Sequence, residues 1–465
     1  MTAVYVDGAR PPAADERDGG AAGGAAGYQA VLRNRLFLLV WVAQVVSQTA
    51  QNVVNYALVV EVERLTHSST NVGWVIVSFS LPALLLGPPA GVFVDRVSKR
   101  RVLLATNVLR SLLMAGFLLA PQPLQAIYAV TFLASAISQF FMPSEGAIIP
   151  LLVRRRELIT ATSLFNLTFT AAQVAGFVVL GPTLHKLLGA RAAILAVVGM
   201  YALAAACVGA LPERERRHGS LRQAVARALS AAAIWADMLE VGRYMRAVPG
   251  VALAMGHLGL ATALLMTLAT LGPGFVARVL GLDAEDSGYV LAPAGLGMLL
   301  ATGLLGQFAA RADRRRLASG GLLAMGVSLA ALALVRPAFE FFAAGLARQG
   351  PGGLAPVETV GYLGLVSAIT LSLGVEFALV TIPAQTLVAE ATDERLRGRV
   401  FALLFMLTGS VSALPVLLIG ALADNVGIVR MLLGLALAVG LVGLGSARPR
   451  GRPAAARAGA SAVGR

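Results

Sequence analysis

Three acidic side chains within long apolar stretches are the residues of this sequence best suited to carry protons. Glu376 lies between Leu373 and Phe377 in the middle of such a stretch, whereas Glu145 and Glu61 lie near the ends of two others. Burial disfavours the charged form of a carboxyl group, so an acid in this setting can exchange protons. We take Glu376 as the first candidate for proton coupling. A gating ion pair is the alternative role for Glu145, and a solvated rim charge is the alternative for Glu61.

Amide and hydroxyl side chains form one stripe along the first apolar stretch and another along the fifth. The first stripe comprises Gln44, Gln48, Gln51 and Asn55, and the second comprises Thr162, Asn166, Thr170 and Gln173. Spacings of three and four residues place each set on one face of a helix. Because amides are unfavourable against lipid, each face lines either a substrate cavity or a contact between helices. The sequence leaves both interpretations open.

Arg110 is a cation inside the third apolar stretch, where an uncompensated charge is costly. We favour a structural role for it, as the partner of an acid such as Asp95 or Glu145. A Gly-rich phosphate loop ending in Gly-Lys-Ser/Thr is absent from the sequence, as are a Cys/His metal pattern and a Ser/His/Asp set on a soluble domain. We therefore expect no enzymatic activity, no cofactor and no metal site.

The elements that position these residues are predicted to be membrane-spanning helices. The chain of 465 residues is 57% hydrophobic and 13% charged, with a mean hydropathy of +0.76. Apolar stretches of about 18 residues or more can cross a bilayer as helices. Twelve such spans are predicted, at 36–62, 71–94, 102–120, 125–143, 158–184, 190–211, 250–277, 287–310, 317–336, 360–386, 399–423 and 427–446. The expected fold class is an all-α polytopic membrane protein.

The charged residues predict both the domain organisation and the orientation. The predicted parts are a disordered tail at 1–33, a six-helix half at 34–211, a linker at 212–249, a second six-helix half at 250–446 and a disordered tail at 447–465. Thirty of the 38 Lys and Arg residues fall in the tails, the linker and the loops on the same side. By the positive-inside rule, that side and both termini are cytoplasmic. The net charge of +14 is thereby explained without a nucleic-acid partner.

An internal repeat relates the two halves. Residues 73–101 align without gaps on residues 288–316, and Ala310 takes the place of Asp95. Farther along the chain, matching positions of the two halves are separated by more residues. The second half therefore carries extra residues near 337–360, which we expect to be an external elaboration. Parallel six-helix repeats of this kind occur in a large class of transporters.

The end of the second span carries the most specific motif. It comprises Gly91, Asp95, Arg96, Lys99 and Arg100, within the stretch 87–101. The motif resembles the signature of the major facilitator superfamily, in which Gly, an acid and a basic pair occur at these spacings. The resemblance implies that the Asp95 carboxylate latches the cytoplasmic gate in the outward-open state. The sequence departs from the signature at Ser98, where the family usually has Gly.

Further segments look like the drug and siderophore exporter branch of that superfamily, which contains macrolide efflux proteins and enterobactin exporters. They are 41–55, 107–110, 140–153, 382–386 and 396–401. The resemblance implies twelve helices in two pseudo-symmetric halves that rock around a central site. The leading hypothesis is proton-coupled efflux of a small amphipathic molecule by a monomer in a bacterial inner membrane. Transport of a lysophospholipid or metabolite is one alternative, and a membrane sensor without transport is another.

Overall fold

The computed structural model describes residues 31–120, 123–154, 157–212, 248–308, 313–347, 355–391 and 413–447, together with residues 29 and 243. Within these ranges the twelve α-helices are α1 (Arg35–Thr66), α2 (Ser69–Arg96), α3 (Lys99–Leu119), α4 (Leu124–Leu152), α5 (Leu158–Val174), α6 (Gly181–Gly209), α7 (Pro249–Gly274), α8 (Ser287–Phe308), α9 (Arg314–Ala347), α10 (Ala355–Ala391), α11 (Ala413–Val426) and α12 (Ile428–Ala447). The described part of the chain includes nine helical segments long and apolar enough to span a membrane. The expected all-α membrane fold is confirmed.

Two helices continue into π-helical turns before they end. Residues Ala175–Leu180 follow α5, and residues Phe275–Leu280 follow α7. Helix α6 is interrupted at Gly189, whose backbone has φ 80° and ψ 166°, a conformation that favours glycine. The π-helical turn joins α5 to the first turns of α6 without a break, and the helix is kinked at Gly189. This break lies between the predicted spans 158–184 and 190–211.

The extra residues of the second half lengthen two helices. The predicted spans ended at 336 and resumed at 360, but α9 continues to Ala347 and α10 begins at Ala355. The side chains of Arg336 and Glu340 form an ion pair of 2.8 Å one turn apart, which supports helix beyond the predicted end. The ring of Phe339 packs on Tyr362, with 5.1 Å between centroids, and joins the two extensions.

Several predicted segments lie outside the described residues. They are most of both tails, most of the linker 212–249, the loop 309–312 and residues 392–412, which include much of the predicted span 399–423. Helix α11 is described from Ala413 onward.

Helices α1–α6 form one half and α7–α12 the other, with matching contacts. In the first half α2 packs on α4 and α3 packs on α6, and in the second half α8 packs on α10 and α9 packs on α12. The contact between α8 and α10 is so close that a Cβ added to Gly374 would lie 1.8 Å from the carbonyl oxygen of Ala294. Each half has its own apolar core, around Val53 and Tyr201 in the first and around Leu322 and Leu432 in the second.

Hydrogen bonds among the described residues join the two halves at one end of the bundle. We call the end where α1 finishes and α2 begins the closed end, because hydrogen bonds join the halves there, as described below. The opposite end, where α1 begins, is called the tail end. There, Asn34 Nδ2 donates to the Leu152 carbonyl at 2.7 Å and Arg315 Nε donates to the Ser446 carbonyl at 3.1 Å. Each of these bonds stays within one half.

Candidate functional site

An apolar cavity lies where the π-helical turn after α5 of the first half meets α7, α8, α9 and α10 of the second. Its volume is about 180 Å³, and its walls include Phe177, Leu264, Leu268, Met298, Met325 and Phe377. Gly295 and Gly374 also line it, and the remaining lining residues are apolar too. Without polar side chains in its wall, the cavity can hold an apolar group by burial but cannot hydrogen-bond it through side chains.

The predicted polar stripe on α5 runs towards this cavity. The side chains of Asn166 and Gln173 are exposed, and that of Thr170 is half-buried. Gln173 lies one helical turn before Phe177, which lines the cavity. The polar stripe and the apolar cavity therefore follow one another along the same helix.

The predicted stripe on α1 is largely engaged with neighbouring helices. Gln44 is fully buried, and its Nε2 donates to the Phe165 carbonyl on α5 at 3.1 Å. Gln48 is buried as well. Gln51 donates from Nε2 to Asn55 Oδ1 at 3.0 Å. For Gln44, these contacts favour the packing interpretation that the sequence left open.

Gln51 also connects α1 to two other helices. Its Oε1 accepts hydrogen bonds from the Ser138 hydroxyl on α4 at 2.9 Å and from the Tyr201 hydroxyl on α6 at 3.1 Å. These groups belong to a larger polar network in the first half, which is centred on Arg110.

Arg110 is buried, and neutral groups from its own helix and from α1, α4 and α6 surround its guanidinium group. Its Nη2 donates to Ser47 Oγ at 2.8 Å and to Asn107 Oδ1 at 3.0 Å, and its Nη1 donates to Ser138 Oγ at 3.3 Å. Its Cζ lies 4.6 Å from the ring centroids of both Phe141 and Tyr201. Two cation–π contacts and several hydrogen bonds thus replace the water that the guanidinium lost.

The acids expected to pair with Arg110 are not among its described hydrogen-bond partners. The ion pairs that the structure describes do not include one between Arg110 and Glu145. Glu145 is buried, and its Oε1 has no hydrogen-bond partner among the described residues. The side chain of Asp95 lies outside the described part of the chain.

Glu376 is a residue of α10 that faces α9 within the second half. Its Oε1 accepts a hydrogen bond from the Ser328 hydroxyl at 2.7 Å, and Ser328 is also 3.1 Å from the Ser372 hydroxyl. The other oxygen, Oε2, is buried without a described partner. The neighbouring residues Leu373 and Phe377 line the apolar cavity, so Glu376 lies just behind its wall.

The other predicted charges occupy the two ends of the first half. Glu61 Oε1 pairs with Arg64 at 2.9 Å within α1, near the closed end. At the tail end, Gly91 and Arg96 lie in the last turns of α2, while Lys99 and Arg100 begin α3. Arg100 Nη2 donates to the Gly209 carbonyl at 2.6 Å, which ties the basic loop to the end of α6.

Asp424 joins the halves at the closed end by capping α2 from across the boundary. This residue of α11 accepts hydrogen bonds from the backbone N–H groups of Ser69 and Thr70, at 2.8 and 2.9 Å. The hydroxyls of Ser68 and Thr70 donate to it as well, each at 2.7 Å. An acid at a helix N-terminus is favourable both for its hydrogen bonds and for the helix dipole.

Arg278 makes a second connection beside Asp424. Its Nη2 donates to Ser69 Oγ at 2.5 Å, and its Nη1 lies 3.3 Å from Asp424 Oδ1. Its Nε lies 3.3 Å from Oε1 of Glu63, a fully buried residue of α1. The π-helical turn after α7 carries Arg278, and such turns frequently occur at functional sites.

A third connection joins α1 to the start of α8. The Tyr56 hydroxyl donates to the Glu285 carbonyl at 2.6 Å and accepts a bond from the Gly288 N–H at 3.4 Å. Lys186 pairs with Asp286 across the same boundary. We call all three connections together the latch.

Sequence reasoning missed the latch. The sequence singles out Glu61 but not its neighbour Glu63, and no local pattern marks Arg278. The run Ser68-Ser69-Thr70 at the start of α2 was the available signal, because hydroxyl residues are typical of helix N-termini. Within the described residues, no group of His, Cys, Asp and Glu is arranged to hold a metal ion.

Comparison with known proteins gives a consistent result. The pattern of the Major Facilitator Superfamily matches residues 40–415. The uncharacterized MFS-type transporter YfiS of Bacillus subtilis is 24% identical over 373 residues, which cover 78% of this chain and 81% of that protein.

Solved structures share the fold at low sequence identity. The nucleoside transporter NupG superposes with a TM-score of 0.66 at 12% identity, over 88% of this chain and 98% of that one. A bacterial homolog of the human lysosomal transporter Spinster also superposes with a TM-score of 0.66, at 13% identity, over 91% and 97% of the two chains. The family match, the twelve helices in two halves and these superpositions lead to one conclusion: the chain is a membrane transporter, not an enzyme, and belongs to the Major Facilitator Superfamily.

Proposed function

We propose that this protein exports small amphipathic molecules across a bacterial inner membrane in exchange for protons. The apolar cavity between the halves is the observation that carries the proposal. An apolar group fits the cavity, while the exposed amides of Asn166 and Gln173 on α5 offer hydrogen bonds to a polar group. A substrate with both kinds of group would satisfy both surfaces.

Alternating access would follow from opening of the closed end. The tail end carries the start of α1, the end of α12 and the basic motif, so the positive-inside rule favours the cytoplasm for it. The closed end would then be external, and the latch would close the protein to the outside. Rocking of the halves would break the latch and expose the cavity to the outside.

The direct test is transport into inverted membrane vesicles of an amphipathic fluorescent dye. We expect uptake to depend on an inwardly acidic pH gradient and to stop when a protonophore is added. Uptake that continues unchanged with the protonophore would refute proton exchange while leaving transport itself intact.

Filling the cavity should impair transport without unfolding the protein. Leu268→Trp replaces a leucine of the cavity wall by a bulky ring. The apolar group of the substrate would then bury about three methylene groups fewer, which costs roughly 2 kcal/mol of binding free energy. We expect the KM for the dye to rise about tenfold or more. Leu437→Trp, on the exposed face of α12, is the matched control and should transport normally. Equal KM values for the two variants would place the substrate elsewhere.

Glu376 remains the proposed proton carrier, because it is buried behind the cavity wall and one of its oxygens has no hydrogen-bond partner in the described part of the chain. Glu376→Gln keeps the size of the side chain and accepts the same bond from Ser328, but it cannot release a proton. We expect the variant to bind dye normally and to lose uptake driven by the pH gradient. Ser328→Ala, which removes the partner and keeps the acid, should retain that uptake. Normal proton-driven uptake by Glu376→Gln would exclude it as the carrier.

The apolar lining of the cavity also favours a second candidate, a lysophospholipid or another single-chain lipid. Such a substrate would place its chain in the cavity. Competition separates the two candidates: a lysophospholipid that is itself transported and displaces the dye supports the lipid role. A lysophospholipid that neither competes nor moves supports export of other amphipathic molecules.

A further inference from the structure

Helix α11 of the second half packs along the start of α2 of the first half at the closed end. Val416, Gly420 and Asp424 lie one turn apart on α11 and face α2 in succession. A Cβ added to Gly73 on α2 would lie 3.7 Å from Cγ1 of Val416, and Asp424 caps the first turn of α2. Gly420 is buried between these two contacts.

The contact at Gly420 is too close for a side chain. A Cβ added there would lie 2.7 Å from the Ser69 carbonyl oxygen, 3.1 Å from the Ser69 carbonyl carbon and 3.2 Å from the Thr70 Cα. All three atoms belong to the backbone of the first turn of α2, so no change of a side-chain rotamer can relieve the clash. A methyl group at this position would therefore force α11 away from α2.

The same displacement would weaken the Asp424 cap. The short side chain of Asp424, one turn after Gly420, reaches the N–H groups of Ser69 and Thr70 at 2.8 and 2.9 Å. Ordinary contacts of a Cβ begin at 3.4 Å, and movement of α11 to that distance would stretch these hydrogen bonds. The bond from Arg278 Nη2 to Ser69 Oγ, now 2.5 Å, would be disturbed as well.

We propose that Gly420 is a positioning residue of the latch, because the lack of a side chain there lets α11 approach α2 closely enough for Asp424 to cap it. The close contact is made across the boundary between the halves. In the open arrangement α11 stands away from α2, and a methyl group at position 420 meets no backbone of that helix. The size of this residue therefore sets the balance between the closed and the open arrangements. The proposal rests on opening of the closed end, but on neither the substrate nor the coupling ion.

Distances between two spin labels measure this balance without any transport. The labels are attached to cysteines at Leu119 on α3 and Arg430 on α12, two exposed positions at the closed end, in a Cys207→Ala background. The full chain is placed in lipid nanodiscs, and the ratio of open to closed protein is measured for Gly420→Ala and for the matched control Gly73→Ala.

The control differs from the test variant only in the space around the added methyl group. Gly73 and Gly420 are both buried helical glycines of the interface between α2 and α11. Alanine is a better helix former than glycine at either position. A Cβ at Gly73 makes only ordinary contacts of 3.5 Å or more.

We expect Gly420→Ala to raise the open-to-closed ratio by about tenfold or more, because the added methyl group is costly only in the closed arrangement. Gly73→Ala should leave the ratio within about twofold of the unmodified protein. In an Asp424→Ala background, Gly420→Ala should have a smaller effect, since α11 can then stand farther from α2 without losing the cap.

A Gly420→Ala protein that is as closed as the unmodified protein would overturn the proposal, and so would equal opening by Gly73→Ala. An equal effect of Gly420→Ala with and without Asp424 would show that Gly420 does not act through the cap. Since neither substrate nor gradient is present, failure of the proposed export function would leave these results unchanged.

Discussion

Replacement of Asp424 by alanine is expected to shift the protein strongly towards opening at the closed end. The carboxylate accepts four hydrogen bonds from Ser68, Ser69 and Thr70, which lie in the other half. Bonds to a charged acceptor contribute about 1.5 to 3 kcal/mol each when buried, and Asp424 is partly exposed. A total loss of about 3 kcal/mol corresponds to roughly a hundredfold change in the open-to-closed ratio.

Spin labels on cysteines at Leu119 on α3 and Arg430 on α12, two exposed positions at the closed end, would report this shift as a change in distance. Steady-state transport should also fall, because the closed state is rarely restored. Asn425→Ala is the matched control, since Asn425 hydrogen-bonds within its own helix, to the Ala421 carbonyl at 2.8 Å. If Asp424→Ala leaves the label distances unchanged, the Asp424 cap does not hold the two halves together.

Replacement of Arg110 by alanine is expected to destabilise the first half by about 3 kcal/mol or more. The substitution removes hydrogen bonds to Ser47, Asn107 and Ser138 and two cation–π contacts. It also leaves a cavity in a packed core. The apparent melting temperature of the detergent-solubilised protein should fall clearly.

Arg191→Ala, at an exposed position of α6, serves as the control and should melt near the temperature of the unmodified protein. An Arg110→Ala protein of normal stability but without transport would contradict the structural role and indicate contact with the substrate or with protons.

The helices and their pairing into halves were accessible from sequence because they follow from local composition. Apolar stretches long enough to span a bilayer are readable residue by residue, and the repeat of 73–101 on 288–316 needs only an alignment. The extension of α9 beyond Pro337 was harder to predict from the sequence. Proline usually marks a helix boundary, and the ion pair Arg336–Glu340 and the contact of Phe339 with Tyr362 outweigh it here.

The site was only partly predictable, for a physical reason. A polar stripe shows that a helix face avoids lipid but does not show what that face meets, so Gln44 and Asn166 look alike in sequence. In the structure Gln44 bonds the backbone of α5, and Asn166 is exposed. The latch depends on contacts between residues 100 or more positions apart, such as Glu63 and Arg278, whose pairing no local pattern encodes.

A reversible cross-link at the closed end shows whether transport requires separation of the two halves. A Cβ added to Gly73 on α2 would lie 3.7 Å from Cγ1 of Val416 on α11, so side chains at these two positions meet across the halves and the cysteines of the cross-link are placed there. In a Cys207→Ala background, oxidation of the Gly73→Cys, Val416→Cys protein should abolish dye transport. Reduction should restore it, and each single-cysteine variant should transport under both conditions. Undiminished transport by the fully cross-linked protein would contradict transport by opening of the closed end.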